Sequence, residues 1–336
     1  MKAVRTDREL ECPIIDAGLR ARGLDLVLLP DGVAEADLAR EVADADLLLM
    51  CYTPVTARVI GQAMRLRGIV KYGVGIDAID IAAAGARRIP VVNVPEYAER
   101  TVAEGAFTLL LALAKKLAPM HLAMRRDGWL WPGAPWLASD VGGRTLGLVG
   151  VGRIGRSMAR MAGAGFGMRV LGFDPHVTAA DMRAAGVGQR EDLHALLDEC
   201  DVVSIHCVLN EQTRGLIGAP EFAAMKPGAI LINVSRGAIV DETAMLQALR
   251  DGRLGGAGLD VFSQEPLAPA GHPLSELFAM DNVILTPHLA FFTREAMQRL
   301  EEETLARCDE LLAGEPVRVT SRDPRLRSQT HGVRFD

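Results

Sequence analysis

Over the first hundred residues, short apolar runs alternate with segments of helical character. Residues 26–29, 47–50, 69–72 and 91–94 read as strands, and 34–42, 56–64 and 78–86 as helices. Strands alternating with helices predict a parallel sheet covered by helices on both faces. The turns at Pro30 and Gly73 fall just after strand ends, where open α/β sheets place a ligand crevice. Beyond Pro95 the pattern changes to a strongly apolar helix reaching about Leu117. Much of it is too apolar to face solvent, so it needs a partner at a domain interface or in a second subunit. Residues 125–143 hold all three tryptophans, Trp129, Trp131 and Trp136, and predict a structured arm suited to a subunit contact.

The alternation then resumes. Apolar runs at 145–149, 169–173, 202–205, 229–232, 256–259 and 283–285 predict a second parallel sheet, and 293–312 a final helix that returns to the first domain. From Thr320 onward the chain is polar, arginine-rich and aperiodic, which predicts a disordered tail or a subunit-specific arm.

Between the strands at 145–149 and 169–173 lies G-V-G-R-I-G, with Gly150, Gly152 and Gly155 in the spacing G-x-G-x-x-G. In that context each glycine has a reason. Gly150 permits a tight turn, Gly152 lets backbone approach a pyrophosphate, and Gly155 lets the helix pack close to the strand. The anion then sits on N–H groups at the helix start. Asp174 follows the second strand, nineteen residues beyond Gly155, where a carboxylate accepts hydrogen bonds from the adenosine ribose and repels a 2′-phosphate. The expected cofactor is therefore NAD rather than NADP.

Length and charge narrow the picture further. A chain of 336 residues suits two domains, each with its own core. The net charge of −6, with basic residues scattered along the chain, gives no footprint for nucleic acid or an anionic membrane. The five cysteines are widely spaced and form no C-x-x-C pair, so neither a disulfide framework nor a metal site is expected. No apolar signal core opens the chain, and its longest apolar run is too short for a bilayer, so the expected setting is the cytoplasm.

Several further segments together resemble the D-isomer-specific 2-hydroxyacid dehydrogenases, in the branch of the phosphoglycerate dehydrogenases and the C-terminal-binding proteins. They are K-Y-G-V-G-I-D at 71–77, V-A-E at 102–104, the glycine loop with Asp174, N-V-S-R-G-A-I-V-D at 233–241, G-L-D-V-F-S-Q-E-P at 258–266 and T-P-H at 286–288. The resemblance covers nearly the whole chain to about Val319. It implies an α/β fold of two doubly wound parallel-sheet domains. A flavodoxin-like substrate domain at 1–97 and 293–336 would flank a Rossmann NAD-binding domain at 98–292, with the active site in the cleft between them.

It also implies roles. His288 would be the general acid and base, Glu265 would pair with it and stabilise the imidazolium, and Arg236 would bind the carboxylate and carbonyl oxygen of a 2-oxo acid. The residues alone do not choose His288 among seven histidines. Their support is that His288 and Arg236 both follow predicted strand ends. By the same carry-over Val74 and Gly75 would offer N–H groups to the substrate. Arg153 and Ile154 would touch the pyrophosphate, Cys207 and Val234 would meet the cofactor through their backbone, and Asp260 would meet the nicotinamide amide.

Three departures from relatives refine this. Phosphoglycerate dehydrogenases carry an arginine near Cys51 and Tyr52, which this chain lacks, so a phosphorylated substrate is disfavoured and Tyr52 is the substrate-binding residue expected there. Phe291 and Phe292 follow T-P-H, where many relatives have small residues, and an aromatic wall there suits an apolar substrate side chain. Glu265 stands where formate dehydrogenase relatives carry glutamine. The expectation is an NAD(H)-dependent 2-oxo acid reductase that forms a homodimer and binds no nucleic acid, membrane or metal. The alternatives are an NAD(H)-responsive scaffold and a phosphoglycerate dehydrogenase.

Overall fold

A computed structural model describes residues 1–335; Asp336, the end of the expected 293–336 segment, lies outside the described residues. The chain divides into two compact units, Met1–Ala98 with Phe292–Asp336, and Glu99–Phe291.

The first unit is built on five parallel strands, β1 (Lys2–Arg5), β2 (Asp25–Leu28), β3 (Leu47–Met50), β4 (Gly68–Lys71) and β5 (Val91–Asn93), in the order β2-β1-β3-β4-β5. Register is set by pairs such as Ala3 with both Leu26 and Leu47, and Leu48 with Ile69. This is the flavodoxin-like order, in which the chain reverses direction between β1 and β3 and opens a crevice at their carboxyl ends. Every residue of β3 and β4 is buried, as expected when helices cover both faces of a parallel sheet.

β1 and the helix Pro13–Ala21 after it have no counterpart in the sequence reading. K-A-V-R looks polar, yet Arg5 is buried because its guanidinium forks onto Asp16 at 2.7 and 2.9 Å. The helix begins at Cys12 without a cap from its own neighbourhood. Its first N–H groups, those of Ile14 and Ile15, donate instead to Glu301 at 2.7 and 3.1 Å.

The segment from Thr320 onward is folded, which corrects the expectation of a disordered tail or subunit arm. β13 (Val317–Val319) pairs in parallel with β14 (Val333–Phe335), and between them Asp323 caps the short helix Pro324–Arg327, whose Leu326 is fully buried. Gln329 then seats its side-chain amide on the outer side of β5. It accepts from Val91 N–H at 2.7 Å and donates to Val91 C=O at 2.8 Å.

The second unit holds seven parallel strands, β6 (Thr145–Val149), β7 (Arg169–Phe173), β8 (Gly188–Gln189), β9 (Val202–Ile205), β10 (Ala229–Asn233), β11 (Leu254–Leu259) and β12 (Val283–Leu285). Their order, β12-β11-β10-β9-β6-β7-β8, is the doubly wound Rossmann arrangement with its reversal between β6 and β9. The apolar helix expected to end near Leu117 is two helices, Glu99–Ala114 and Leu117–Asp127, bent by 58° at a left-handed Lys116. The first finds its partner in the sheet of its own unit. Gly258 on β11 leaves room for Leu109, whose Cβ would lie 2.9 Å from a Cβ added at the glycine. Among the described residues no single helix is long and apolar enough to cross a membrane.

Candidate active site

In the second unit, the residues singled out from the sequence gather at one edge of the sheet because each follows the carboxyl end of a parallel strand. Gly150 follows β6, Asp174 β7, Cys207 β9, Val234 and Arg236 β10, Asp260 and Glu265 β11, and His288 β12. Parallel strands point their carboxyl ends the same way, so the topology alone assembles these groups.

The glycine loop has the form its spacing predicts. Gly150 sits at φ +97°, which an L side chain rarely adopts, and a Cβ there would fall 2.5 Å from Cys207 N. A Cβ at Gly155 would fall 2.4 Å from Gly150 O, so only glycine lets the helix Arg153–Arg160 start this close to the strand. Around Gly152 there is open space, and that helix has no side-chain cap. An uncapped helix start beside open space is what a pyrophosphate requires. Asp174 extends the cradle: its Oδ2 accepts from Val151 N–H at 2.9 Å and its Oδ1 from His176 N–H at 2.9 Å. The residues therefore fit a dinucleotide. Asp174→Ala is expected to weaken NADH binding about tenfold or more, since hydrogen bonds to a charged group are the stronger kind, and to narrow the preference over NADPH. Fluorescence titration with both cofactors checks this; an unchanged preference removes Asp174 from the ribose.

His288 and Glu265 are brought together at 2.9 Å, Nδ1 to Oε2, while the other carboxylate oxygen accepts from Phe262 N–H at 2.9 Å. Burial alone would raise the Glu265 pKa. The hydrogen bond and charge of His288, the Phe262 N–H and the charge of Arg236 outweigh it and hold this carboxyl below its ordinary value. The charge of Arg236 thus reaches Glu265. Its approach depends on Gly237, where an added Cβ would lie 2.0 Å from the carbonyl carbon of Phe262. Asn233 shapes the intervening turn, accepting from Ser235 N–H at 3.0 Å and donating to Arg236 C=O at 2.9 Å.

Asp260 has a role that the sequence did not announce. His288 occupies the left-handed region at φ +58°, uncommon for a non-glycine residue. The turn holding it there is tied to Asp260. Oδ1 accepts from Thr286 Oγ1 at 2.5 Å and Leu289 N–H at 3.0 Å, Oδ2 from Ala290 N–H at 3.0 Å, and the Asp260 carbonyl from His288 N–H at 2.8 Å.

Other residues sort themselves by environment. Burial pushes the Cys207 thiol up to about 12, which does not suit a nucleophile, and Ser235 Oγ donates to its carbonyl at 2.5 Å. His206 pairs with Ser204 Oγ at 2.9 Å, and burial pushes its pKa down to about 4. His272 locks a loop between Gln264 C=O and Leu274 N–H, both at 3.0 Å. Phe291 is buried and Phe292 half exposed.

In the first unit Tyr52 follows β3, and Val74 and Gly75 follow β4. The Asn93 side chain donates to Val74 C=O at 2.6 Å, and among the described residues the N–H groups of Val74 and Gly75 make no hydrogen bond. Nothing in the sequence pattern selects Asn93.

A Rossmann unit with a histidine–carboxylate pair and an arginine at its strand ends defines a nicotinamide-dependent oxidoreductase. Residues 107–290 match the family described as D-isomer specific 2-hydroxyacid dehydrogenase, NAD binding domain. The chain belongs to this family, whose cofactor is NAD and whose reaction interconverts D-2-hydroxy acids and 2-oxo acids. It is 41% identical over 268 residues to a glyoxylate reductase of Korarchaeum cryptofilum, covering 79% of each chain. A D-3-phosphoglycerate dehydrogenase of Methanocaldococcus jannaschii is 35% identical over 84% of this chain, which spans only 53% of that longer protein. Among solved structures, D-lactate dehydrogenase from Aquifex aeolicus, complexed with NAD and lactic acid, superposes with TM-score 0.83 at 30% identity, covering 93% of this chain and 96% of that one.

Proposed function

We propose that this chain is a cytoplasmic, homodimeric reductase of non-phosphorylated 2-oxo acids that carry an apolar side chain. The observation that carries the reading is the 2.9 Å His288–Glu265 pair under the charge of Arg236. Arg236 binds the substrate carboxylate and carbonyl oxygen, fixing C2 and polarising the C=O bond. NADH, when bound, supplies the hydride to C2. With Nδ1 held by Glu265, Nε2 of His288 is the atom that delivers a proton to the developing alkoxide, and that takes it back in the reverse direction. Val74 and Gly75 offer N–H groups to the carboxylate, and Asp260 Oδ2 keeps an acceptor position for the nicotinamide amide.

The preference for an apolar side chain is supported by Tyr52, partly exposed where phosphate-binding relatives carry arginine nearby, and by the aromatic pair Phe291 and Phe292. The dimer is supported by the arm. Trp129 and Trp131 stack edge to face with centroids 6.5 Å apart, and Trp131 is 78% exposed, an unusual state for so large an apolar surface in a monomer.

NADH oxidation by the purified protein against glyoxylate, pyruvate, hydroxypyruvate, phosphohydroxypyruvate and branched-chain or phenyl-substituted 2-oxo acids tests the reading. The expected result is highest kcat/KM for an apolar member. A preference for phosphohydroxypyruvate overturns the substrate class, and tight NADH binding without turnover replaces the enzyme by an NAD(H)-responsive scaffold.

A further inference from the structure

Beneath Tyr52 lies a cluster of charged groups to which neither the sequence motifs nor the proposed chemistry gives a role. Asp7 follows β1, sits at φ +56° and is only 1% exposed. Its carboxylate gathers three successive N–H groups of the loop after β3. Oδ2 accepts from Cys51 N–H at 2.8 Å and Tyr52 N–H at 3.0 Å, and Oδ1 from Thr53 N–H at 3.1 Å. Two hydroxyls join them, Thr53 Oγ1 at 2.7 Å on Oδ1 and Thr6 Oγ1 at 2.6 Å on Oδ2, and burial together with the nearby Asp7 charge raises the pKa of Asp31 beside the cluster. A buried carboxylate with five donors is fully satisfied only while the loop keeps this one conformation.

The opposite charge holds the loop from the other side. Lys71, at the end of β4, is 5% exposed, and its ammonium donates to Cys51 C=O and lies 3.2 Å from Cys51 Sγ. It also sits 5.5 Å from the centroid of the Tyr52 ring, within cation–π range. Gly73 makes room for it, since a Cβ there would come within 2.9 Å of Nζ. Among the described residues no carboxylate lies within ion-pair distance of Lys71. Its charge is spent on the loop carbonyl and the tyrosine ring.

We propose that Asp7 and Lys71 are positioning residues that set side-chain selectivity: an anion and a cation clamp residues 51–53 so that Tyr52 stands as a rigid wall against the substrate side chain. This rests on the functional reading above, in which Tyr52 faces the substrate. The clamp touches neither the reacting carbon nor the cofactor. It acts on how well a substrate with a side chain is told apart from one without.

The test compares wild type, Asp7→Asn and Lys71→Met in NADH-linked reduction of glyoxylate, which has no side chain, and 4-methyl-2-oxopentanoate, which has a branched one. Asparagine tolerates a positive φ, but its amide group turns a donor toward donors, so the clamp is lost while the backbone is kept. Methionine keeps the buried stem of Lys71 without its charge. Both variants are expected to lower the ratio of kcat/KM for the branched substrate over glyoxylate by about tenfold, the scale on which an apolar pocket reads a methylene or two. The change should be carried by KM, with glyoxylate turnover nearly unchanged. Amide hydrogen exchange at residues 51–53 should rise in Asp7→Asn.

An equal fall for both substrates, or an unchanged ratio, makes Asp7 and Lys71 merely structural and overturns the proposal. So does unchanged exchange at 51–53. Absence of wild-type turnover on both substrates is a separate result: it overturns the functional reading itself and this proposal with it.

Discussion

Replacing His288 by asparagine is expected to leave a folded protein that binds NADH normally and turns over 2-oxo acids about 10²–10⁴-fold more slowly, the usual range for loss of a general acid. Asparagine is the informative substitution because residue 288 sits at φ +58°, a conformation asparagine tolerates and alanine resists. The turn held by Asp260 then survives, and the loss reads chemistry rather than backbone strain. Stopped-flow reduction and NADH fluorescence titration measure the two halves separately. A kcat within tenfold of wild type would remove His288 from proton transfer. The pH range follows from Glu265, whose folded pKa is lowered below the ordinary 4.5. A depressed carboxyl contributes its pairing fully above the unfolded value and loses it as the pH falls through the lowered one. The contribution of the Glu265 carboxylate to this pairing is therefore complete at neutral pH and is lost as the pH falls into acid.

Arg236→Gln is expected to cost about 10³-fold in kcat/KM, with KM raised and kcat lowered together, since removing one preorganised donor to a developing oxyanion alone costs 10²–10³. The two effects separate two contacts. The substrate carboxylate is bound in the ground state and sets KM, whereas the carbonyl oxygen gains charge only as hydride arrives and sets kcat. Lysine at this position should restore little, because a point charge cannot fork across two oxygens. Steady-state kinetics with the apolar 2-oxo acid varied at saturating NADH measures both. A change confined to KM would leave Arg236 a carboxylate anchor with no part in polarising the bond. Gly237 and Asn233 fix the arginine backbone independently of its side chain, so the variant should fold.

The sequence was most legible where function imposes geometry on the backbone. Gly150 and Gly155 announce themselves because any Cβ there would collide with neighbouring backbone, and Gly152 because it leaves open space. The strands β3, β6, β7, β9 and β12 begin and end where the sequence pattern places them, and β3, β6 and β9 are buried throughout. The proposed catalytic set was visible only through its resemblance to a family, since nothing local marks His288 or Glu265.

What stayed hidden depends on partners far away in the chain. β1 was masked by Arg5, whose burial makes sense only once Asp16 is beside it. The helix Pro13–Ala21 opens on a proline but shows no capping side chain nearby, because its cap, Glu301, is 287 residues from Ile14. The bend at Lys116 has no glycine, and its one sequence mark is Pro119 in the first turn of the second helix; the folded C-terminal segment owes its order to single residues, Leu326 and Gln329, in a polar stretch. Asp7 and Asn93 belong to the same kind, as does the turn-holding role of Asp260: each binds backbone of a segment remote in sequence, and a side chain that serves backbone leaves no pattern of its own.

The Gln329 amide on Val91 has a consequence for how this protein keeps to itself. β5 is the last strand of its sheet, and an unpaired border is a template for pairing with another chain, by swapping or by fibrillar stacking. One glutamine, presenting a donor and an acceptor in the spacing of a peptide group, occupies the Val91 positions that an incoming strand would need. An incoming strand would have to displace that amide before the sheet could lengthen through Val91.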